Sequence, residues 1–111
     1  MSSIKEIVLS NDIVLISKNN CIFCTKLKDL LKEIGVDMSN VLVLNIQDDP
    51  KAFADLADEV MDITSCSTFP QLFVGRKFVG GYKDMFDMHQ FNFEGIQKMF
   101  RDVGVTIESD F

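Results

Sequence analysis

The chain has 111 residues, 47% of them hydrophobic and ten of them phenylalanine, which suffices for one core but not two. Residues 1–111 are therefore read as a single domain. A net charge of −6 without any Lys/Arg cluster disfavours nucleic-acid binding, and the apolar runs fall far short of a membrane span.

Three cysteines make a poor structural disulfide framework, because one pair leaves an odd thiol. Met1-Ser2-Ser3-Ile4-Lys5-Glu6 is polar and unlike a signal peptide. The expectation is a reducing, cytoplasmic compartment.

In chain order, Ser3 to Glu6 fits a capping box, so a short helix is predicted to run to about Leu9. Ser10-Asn11-Asp12 breaks it. Ile13 to Ser17 is apolar and β-branched without alternation, as in a strand covered on both faces. Leu27, Leu30, Leu31 and Ile34 then repeat at helical spacing, and Gly35 suits the helix C-terminus. Val41 to Leu44 reads as a second buried strand, parallel to the first by right-handed crossover.

Asp49-Pro50 starts another helix, with Phe53, Leu56, Ala57 and Val60 inward and an end near Thr64-Ser65. Gln71 to Val74 and Lys77 to Val79 flank Gly75-Arg76, a two-residue hairpin turn. Gly80-Gly81 closes the hairpin, and helices follow over Tyr82–Gln90 and about Phe93–Val103. The order α-β-α-β-α-β-β-α-α describes an α/β domain: a mixed four-stranded sheet with helices on both faces.

Between the first strand and its helix stands Cys21-Ile22-Phe23-Cys24. Two thiols at this spacing can close into a disulfide and reopen, and a strand, a Cys-x-x-Cys turn and a helix together suggest a thioredoxin-like redox site. Free N–H groups and the positive dipole end at the helix start favour a thiolate at Cys21. Helix-end effects of roughly 0.3–1 kcal/mol fall short of one pKa unit, about 1.4 kcal/mol. Hydrogen bonds to sulfur and the charge of Lys18 are expected to add to them. Cys24, one turn further in, is shielded. Cys66 and His89 do not make a second pair with zinc-ligand spacing, so no metal site is expected.

Three separated segments carry a family resemblance. Lys18-Asn19-Asn20-Cys21-Ile22-Phe23-Cys24 resembles the glutaredoxin Lys-x-x-Cys-Pro-Tyr-Cys motif. Ser67-Thr68-Phe69-Pro70 resembles the Thr-Val-Pro segment of that family, whose proline is cis, and Gly80-Gly81-Tyr82-Lys83-Asp84 its Gly-Gly-x-x-Asp turn. Ile22 and Phe23 replace the usual proline and tyrosine, while Cys24 sets the site apart from the Cys-Gly-Phe-Ser branch.

The resemblance implies a thioredoxin-like fold and a glutathione-dependent thiol–disulfide oxidoreductase, with Cys21 as nucleophile and Cys24 as resolving thiol. Glutathione is then a co-substrate, and no prosthetic group is expected. Phe69 would pair its backbone with the cysteine of glutathione, beside Thr68 and Pro70. Lys18 would meet the glycyl carboxylate, and Lys83 and Asp84 the γ-glutamyl end. Gly81 and Tyr82 would offer backbone contacts, and Phe23 a flat wall beside the sulfur.

Asp84 also suits a plain helix cap, and Lys83 a solvated lysine. Cys66 is either a buried small residue or an accessory thiol. His89 is expected on a helix surface, and the Met85, Phe86, Met88 and Phe91 cluster in the core. The implied partners are glutathione and disulfide-containing or glutathionylated proteins, ribonucleotide reductase among them, with the chain a monomer. Two alternatives stay open: an iron–sulfur cluster held by a homodimer, and an electron carrier for ribonucleotide reductase recycled by thioredoxin reductase.

Overall fold

The computed structural model describes residues 4–18, 20–45, 58, 60–62, 64, 68–105 and 107. Its central strand is β1 (Ile13–Ser17), in which every residue is buried. Side chains alternate across a strand, and here the two sides meet different layers. Ile13 and Leu15 pack with Leu27, Leu30, Leu31, Met85, Ile96 and Phe100. Val14 and Ile16 pack with Ile4, Val8, Val60 and Phe73 on the other side. The continuous apolar run of β1 is thus the signature of burial on both faces.

The first helix, α1 (Ile4–Ser10), lays Ile4 and Val8 on the second layer. α2 (Ile22–Glu33) turns a stripe of Cys24, Leu27, Leu30 and Leu31 onto the first. It ends in a Schellman motif: the N–H of Val36 reaches the Leu31 carbonyl at 2.9 Å and that of Gly35 the Lys32 carbonyl at 3.1 Å. Gly35, at φ 101°, takes the left-handed conformation this turn requires. A 3₁₀ turn, Met38–Asn40, is capped by the Asp37 carboxylate through the Ser39 N–H at 2.9 Å, which lowers the Asp37 pKa.

The strand order is β2-β1-β3-β4. β2 (Leu42–Asn45) runs parallel to β1; β3 (Gln71–Val74) is antiparallel to it and pairs in turn with β4 (Lys77–Gly80). This is the expected mixed sheet. Gly75 and Arg76 have φ 60° and 68°, the two positive values of a type I′ hairpin turn. Arg76 is held there by a 3.0 Å hydrogen bond from its Nε to the Leu9 carbonyl. The last helices are α3 (Tyr82–Phe91) and α4 (Phe93–Arg101).

Several expectations are corrected. β2 is not buried: Leu42 and Val43 stay 41% and 40% exposed, because β2 lies at the sheet edge, beyond the well-covered central strands. Phe86 and Phe91 are exposed rather than core, since only Met85 and Met88 of that cluster lie on the packed side of α3. His89 is half-buried, its ring 5.7 Å from that of Phe93 in edge-on contact. The predicted cap at Ser3 and the helix start at Asp49-Pro50, with Phe53, Leu56, Ala57 and Ser65, lie outside the described residues. Val60 is fully buried, as expected.

Candidate active site

Cys21 is the N-cap of α2, extended at φ −113° and ψ 105°. A cap side chain normally offers an oxygen to the free amides of the first turn. Here sulfur takes that part, accepting the Cys24 N–H at 3.2 Å. The Cys21 thiol in turn donates to the Phe69 carbonyl at 3.7 Å. That contact joins the α2 start to the Phe69-Pro70 segment, whose peptide bond is cis.

Cys21 is partly exposed, whereas Cys24 is 2% exposed. Burial pushes the Cys24 thiol above its usual range, and the hydrogen bond with Cys21 raises it further. The Ser17 hydroxyl and the Lys18 backbone oppose this by hydrogen-bonding its sulfur. One thiol is therefore accessible and held by a backbone N–H at a helix end; its partner is enclosed and protonated at neutral pH.

One cleft borders Cys21, and a second borders Phe69, whose carbonyl the Cys21 thiol meets. The first, of about 530 Å³, is bordered by Ser17, Lys18, Cys21 and Cys24, with Lys28 at its edge. The second, of about 410 Å³, is bordered by Phe23, Thr68, Phe69 and Pro70 on one side and Gly81, Tyr82, Lys83 and Asp84 on the other. All eleven residues singled out in the sequence thus border one cleft or the other. Cys66 and Ser67 lie outside the described residues.

The Asp84 carboxylate accepts the Gly81 N–H at 2.9 Å, so it does serve as the cap of α3. Gly80, at φ 135°, sits so close that a Cβ there would overlap the Asp84 carboxylate. The close backbone approach at this turn explains its glycine.

Sequence reasoning missed an aromatic ladder. Phe23 lies 6.1 Å from Tyr82 between ring centroids, and Tyr82 lies 5.8 Å from Phe86. Lys26 sets its Nζ 5.5 Å from the Phe23 ring and 5.9 Å from that of Tyr82. Tyr82 therefore contributes its ring to the site, not backbone alone. The i, i+3 pair Phe23/Lys26 and the i, i+4 pair Tyr82/Phe86 were visible as helical neighbours. Their meeting across two helices was not.

An N-capping thiol, a second buried thiol one turn on and a cis-proline segment against the first define a thioredoxin-like dithiol centre. The glutaredoxin family model matches residues 13–79, more than half of the chain. A glutaredoxin from Vernicia fordii is 34% identical over 90 residues, covering 81% of this chain and 83% of that one. One from Solanum lycopersicum is 36% identical over 81 residues, covering 73% and 71%.

Among solved structures, the holo form of glutaredoxin C1 from Populus tremula x tremuloides matches with a TM-score of 0.78 at 26% identity, covering 88% of this chain and 91% of that one. A buckwheat glutaredoxin–glutathione complex has the same fold, with a TM-score of 0.78 at 22% identity, covering 92% and 87%. The chain belongs to the glutaredoxin family, the glutathione-dependent thiol–disulfide oxidoreductases. These comparisons do not favour the cluster-binding or thioredoxin-reductase-dependent alternatives.

Proposed function

We propose that this chain reduces protein disulfides and protein–glutathione mixed disulfides as a cytosolic monomer, with Cys21 as nucleophile and Cys24 as resolving thiol. The observation that carries these roles is the Cys21 sulfur at the start of α2, 3.2 Å from the Cys24 amide and 3.7 Å from the Phe69 carbonyl. A partly exposed sulfur that accepts an N–H at a helix start suits attack, and a buried thiol beside it suits resolution.

On a glutathionylated protein, the Cys21 thiolate attacks the glutathione sulfur. A Cys21–glutathione disulfide forms, and the protein thiolate departs and takes a proton from solvent. A second glutathione thiolate attacks that glutathione sulfur, giving oxidised glutathione and restoring Cys21. On a protein disulfide, Cys21 first forms a mixed disulfide. Cys24, having lost its proton to solvent, attacks the Cys21 sulfur and expels the second protein thiolate. Two glutathiones then reduce the Cys21–Cys24 disulfide.

Glutathione is assigned to the cleft between Phe69-Pro70 and Gly81–Asp84. Phe69 offers its backbone as an added-strand partner, with Thr68 and Pro70 beside it. The free amides at the α3 start favour the γ-glutamyl carboxylate, with Lys83 adding positive charge, and the Asp84 carboxylate meets the ligand's amino group. Phe23 and Tyr82 form the apolar wall, and Lys18 meets the glycyl carboxylate from the adjoining cleft. Ribonucleotide reductase is one candidate disulfide substrate, and no prosthetic group takes part in this route.

A glutathione-coupled disulfide reductase assay on the wild type, Cys21→Ser and Cys24→Ser tests the assignment. Cys21→Ser loses both reactions, and Cys24→Ser keeps glutathione exchange but not dithiol reduction. Equal loss in both variants would refute the division of roles.

A further inference from the structure

β1 reads Ile-Val-Leu-Ile-Ser, four large aliphatics and then a hydroxyl that is 1% exposed. Burying a hydroxyl costs free energy unless it finds a partner. Alternation sets Ser17 on the same face as Ile13 and Leu15, the face that α2 covers. Ser17 and Cys24 are both buried there, and a hydrogen bond from the Ser17 side chain favours the Cys24 thiolate. Ser17, Cys21 and Cys24 border one cleft.

We propose that Ser17 is a positioning residue for Cys24: its hydroxyl donates to the Cys24 sulfur as that thiol ionises, and so sets how fast Cys24 closes on a mixed disulfide carried by Cys21. The rate part of this proposal rests on the reading of Cys24 as resolving thiol; the hydrogen bond does not.

The physical case is a balance between opposing effects. Enclosure that protects Cys24 from outside reagents also disfavours its thiolate, the only form that attacks. A donor fixed inside the enclosure favours the thiolate without admitting water. The Lys18 backbone is a second such partner, but it is common to any residue at that position. The serine is the side chain the sequence could have chosen otherwise.

Among the described residues, the titratable or charged groups around this sulfur are few. Cys21 stands at the α2 N-cap, with Lys18 after β1 and Lys28 on α2 at the cleft edge. The β2 residue paired with Ser17 is Asn45, and the nearby start of β3 is Gln71, both uncharged.

In the closure step, Cys24 releases its proton to solvent and its thiolate attacks the Cys21 sulfur of a Cys21–glutathione disulfide. The Cys21–Cys24 bond forms, the bond to glutathione breaks, and glutathione departs as a thiolate that takes up a proton. The two active-site sulfurs are oxidised as glutathione is reduced.

The first measurement follows ultraviolet thiolate absorbance over a pH series in Cys21→Ser/Cys66→Ser protein, where Cys24 is the sole thiol. Adding Ser17→Ala should lower the thiolate fraction at neutral pH roughly three- to tenfold, the size expected for one net hydrogen bond, and Ser17→Thr should restore it. The second loads Cys21 with glutathione and times its release by Cys24. Ser17→Ala should slow release by less than that factor, because a thiolate of higher pKa is the better nucleophile, and Thr should rescue it.

An unmoved Cys24 titration in folded Ser17→Ala protein, or no rescue by Thr, overturns the proposal. A shifted titration with glutathione release no faster than in Cys24→Ser instead overturns the resolving role, and the rate claim with it.

Discussion

The amide nitrogen of Cys24 lies 3.2 Å from the sulfur of Cys21, so the backbone of the buried thiol's residue holds the exposed one. This ties the cap of α2 to its chemistry. Serine is among the best N-cap residues. Cys21→Ser should therefore keep the cap, with a thermal midpoint within a few degrees of wild type. Thiol exchange should nonetheless be lost, because a serine hydroxyl is not ionised near neutrality. Paired melting and coupled-reductase measurements check this; a large fall in midpoint would show that the sulfur does more for folding than cap the helix.

The second prediction follows from the raised Cys24 pKa, caused first by burial. At neutral pH this thiol is protonated, so closure on a Cys21 mixed disulfide should accelerate about tenfold per pH unit until the folded pKa is passed. The stability consequence has a definite sign. Folding holds this proton more tightly than the unfolded chain does. Its stabilising contribution is fully present below the unfolded thiol pKa and is lost as pH rises through the folded value. Urea melts of reduced protein should weaken on the alkaline side, and Cys24→Ser should remove that part of the slope.

Much of this arrangement was legible in the residues. The unbroken run Ile13–Ser17 marked a strand covered on both faces, and Gly35 marked the α2 end, because each pattern admits few physical solutions. Cys21 could be assigned to a helix start for the same reason. Other features depend on partners distant in the chain. Val41–Leu44 looks equally apolar at a sheet edge or centre, so the exposure of Leu42 and Val43 was not readable. The unpacked positions of Phe86 and Phe91 are set by how α3 docks, and ring identity does not encode that. Ser17 passed as an ordinary strand end because its meaning appears only once α2 covers that face.

A third prediction concerns the start of α3. Asp84 caps Gly81, and Gly80 leaves the space that the Asp84 carboxylate occupies. Asp84→Ala should cost about 0.5–2 kcal/mol of stability through the lost cap. Gly80→Ala should cost at least about 1 kcal/mol, since φ 135° is strained for any residue with a Cβ and that atom meets the carboxylate. In the double variant the overlap disappears and only the backbone strain remains, so the two costs should add to less than their sum. Denaturant unfolding of the four proteins reads this directly. If Asp84 also binds glutathione, Asp84→Ala will further raise KM for a glutathionylated peptide, whereas Gly80→Ala/Asp84→Ala will not raise it beyond the single variant.

The aromatic ladder links the start of α2, which carries Cys21, to the start of α3, which carries Gly81 and Asp84. Phe23 and Tyr82 meet at 6.1 Å with their planes 31° apart, and Lys26 lies near both faces. Aromatic pairs of this kind contribute about 0.5–1.5 kcal/mol beyond simple burial. A double-mutant cycle between Phe23→Ala and Tyr82→Ala should therefore return a coupling of several tenths of a kcal/mol or more in unfolding free energy. The same coupling should appear in kcat/KM for glutathionylated peptide, since the rings fix one helix start relative to the other. Tyr82→Phe keeps the ring and should behave as wild type in both measurements. If Tyr82→Phe instead lost activity as Tyr82→Ala does, the phenol hydroxyl rather than the stacked ring would be the functional group, and the ladder would have no role in aligning the two helices.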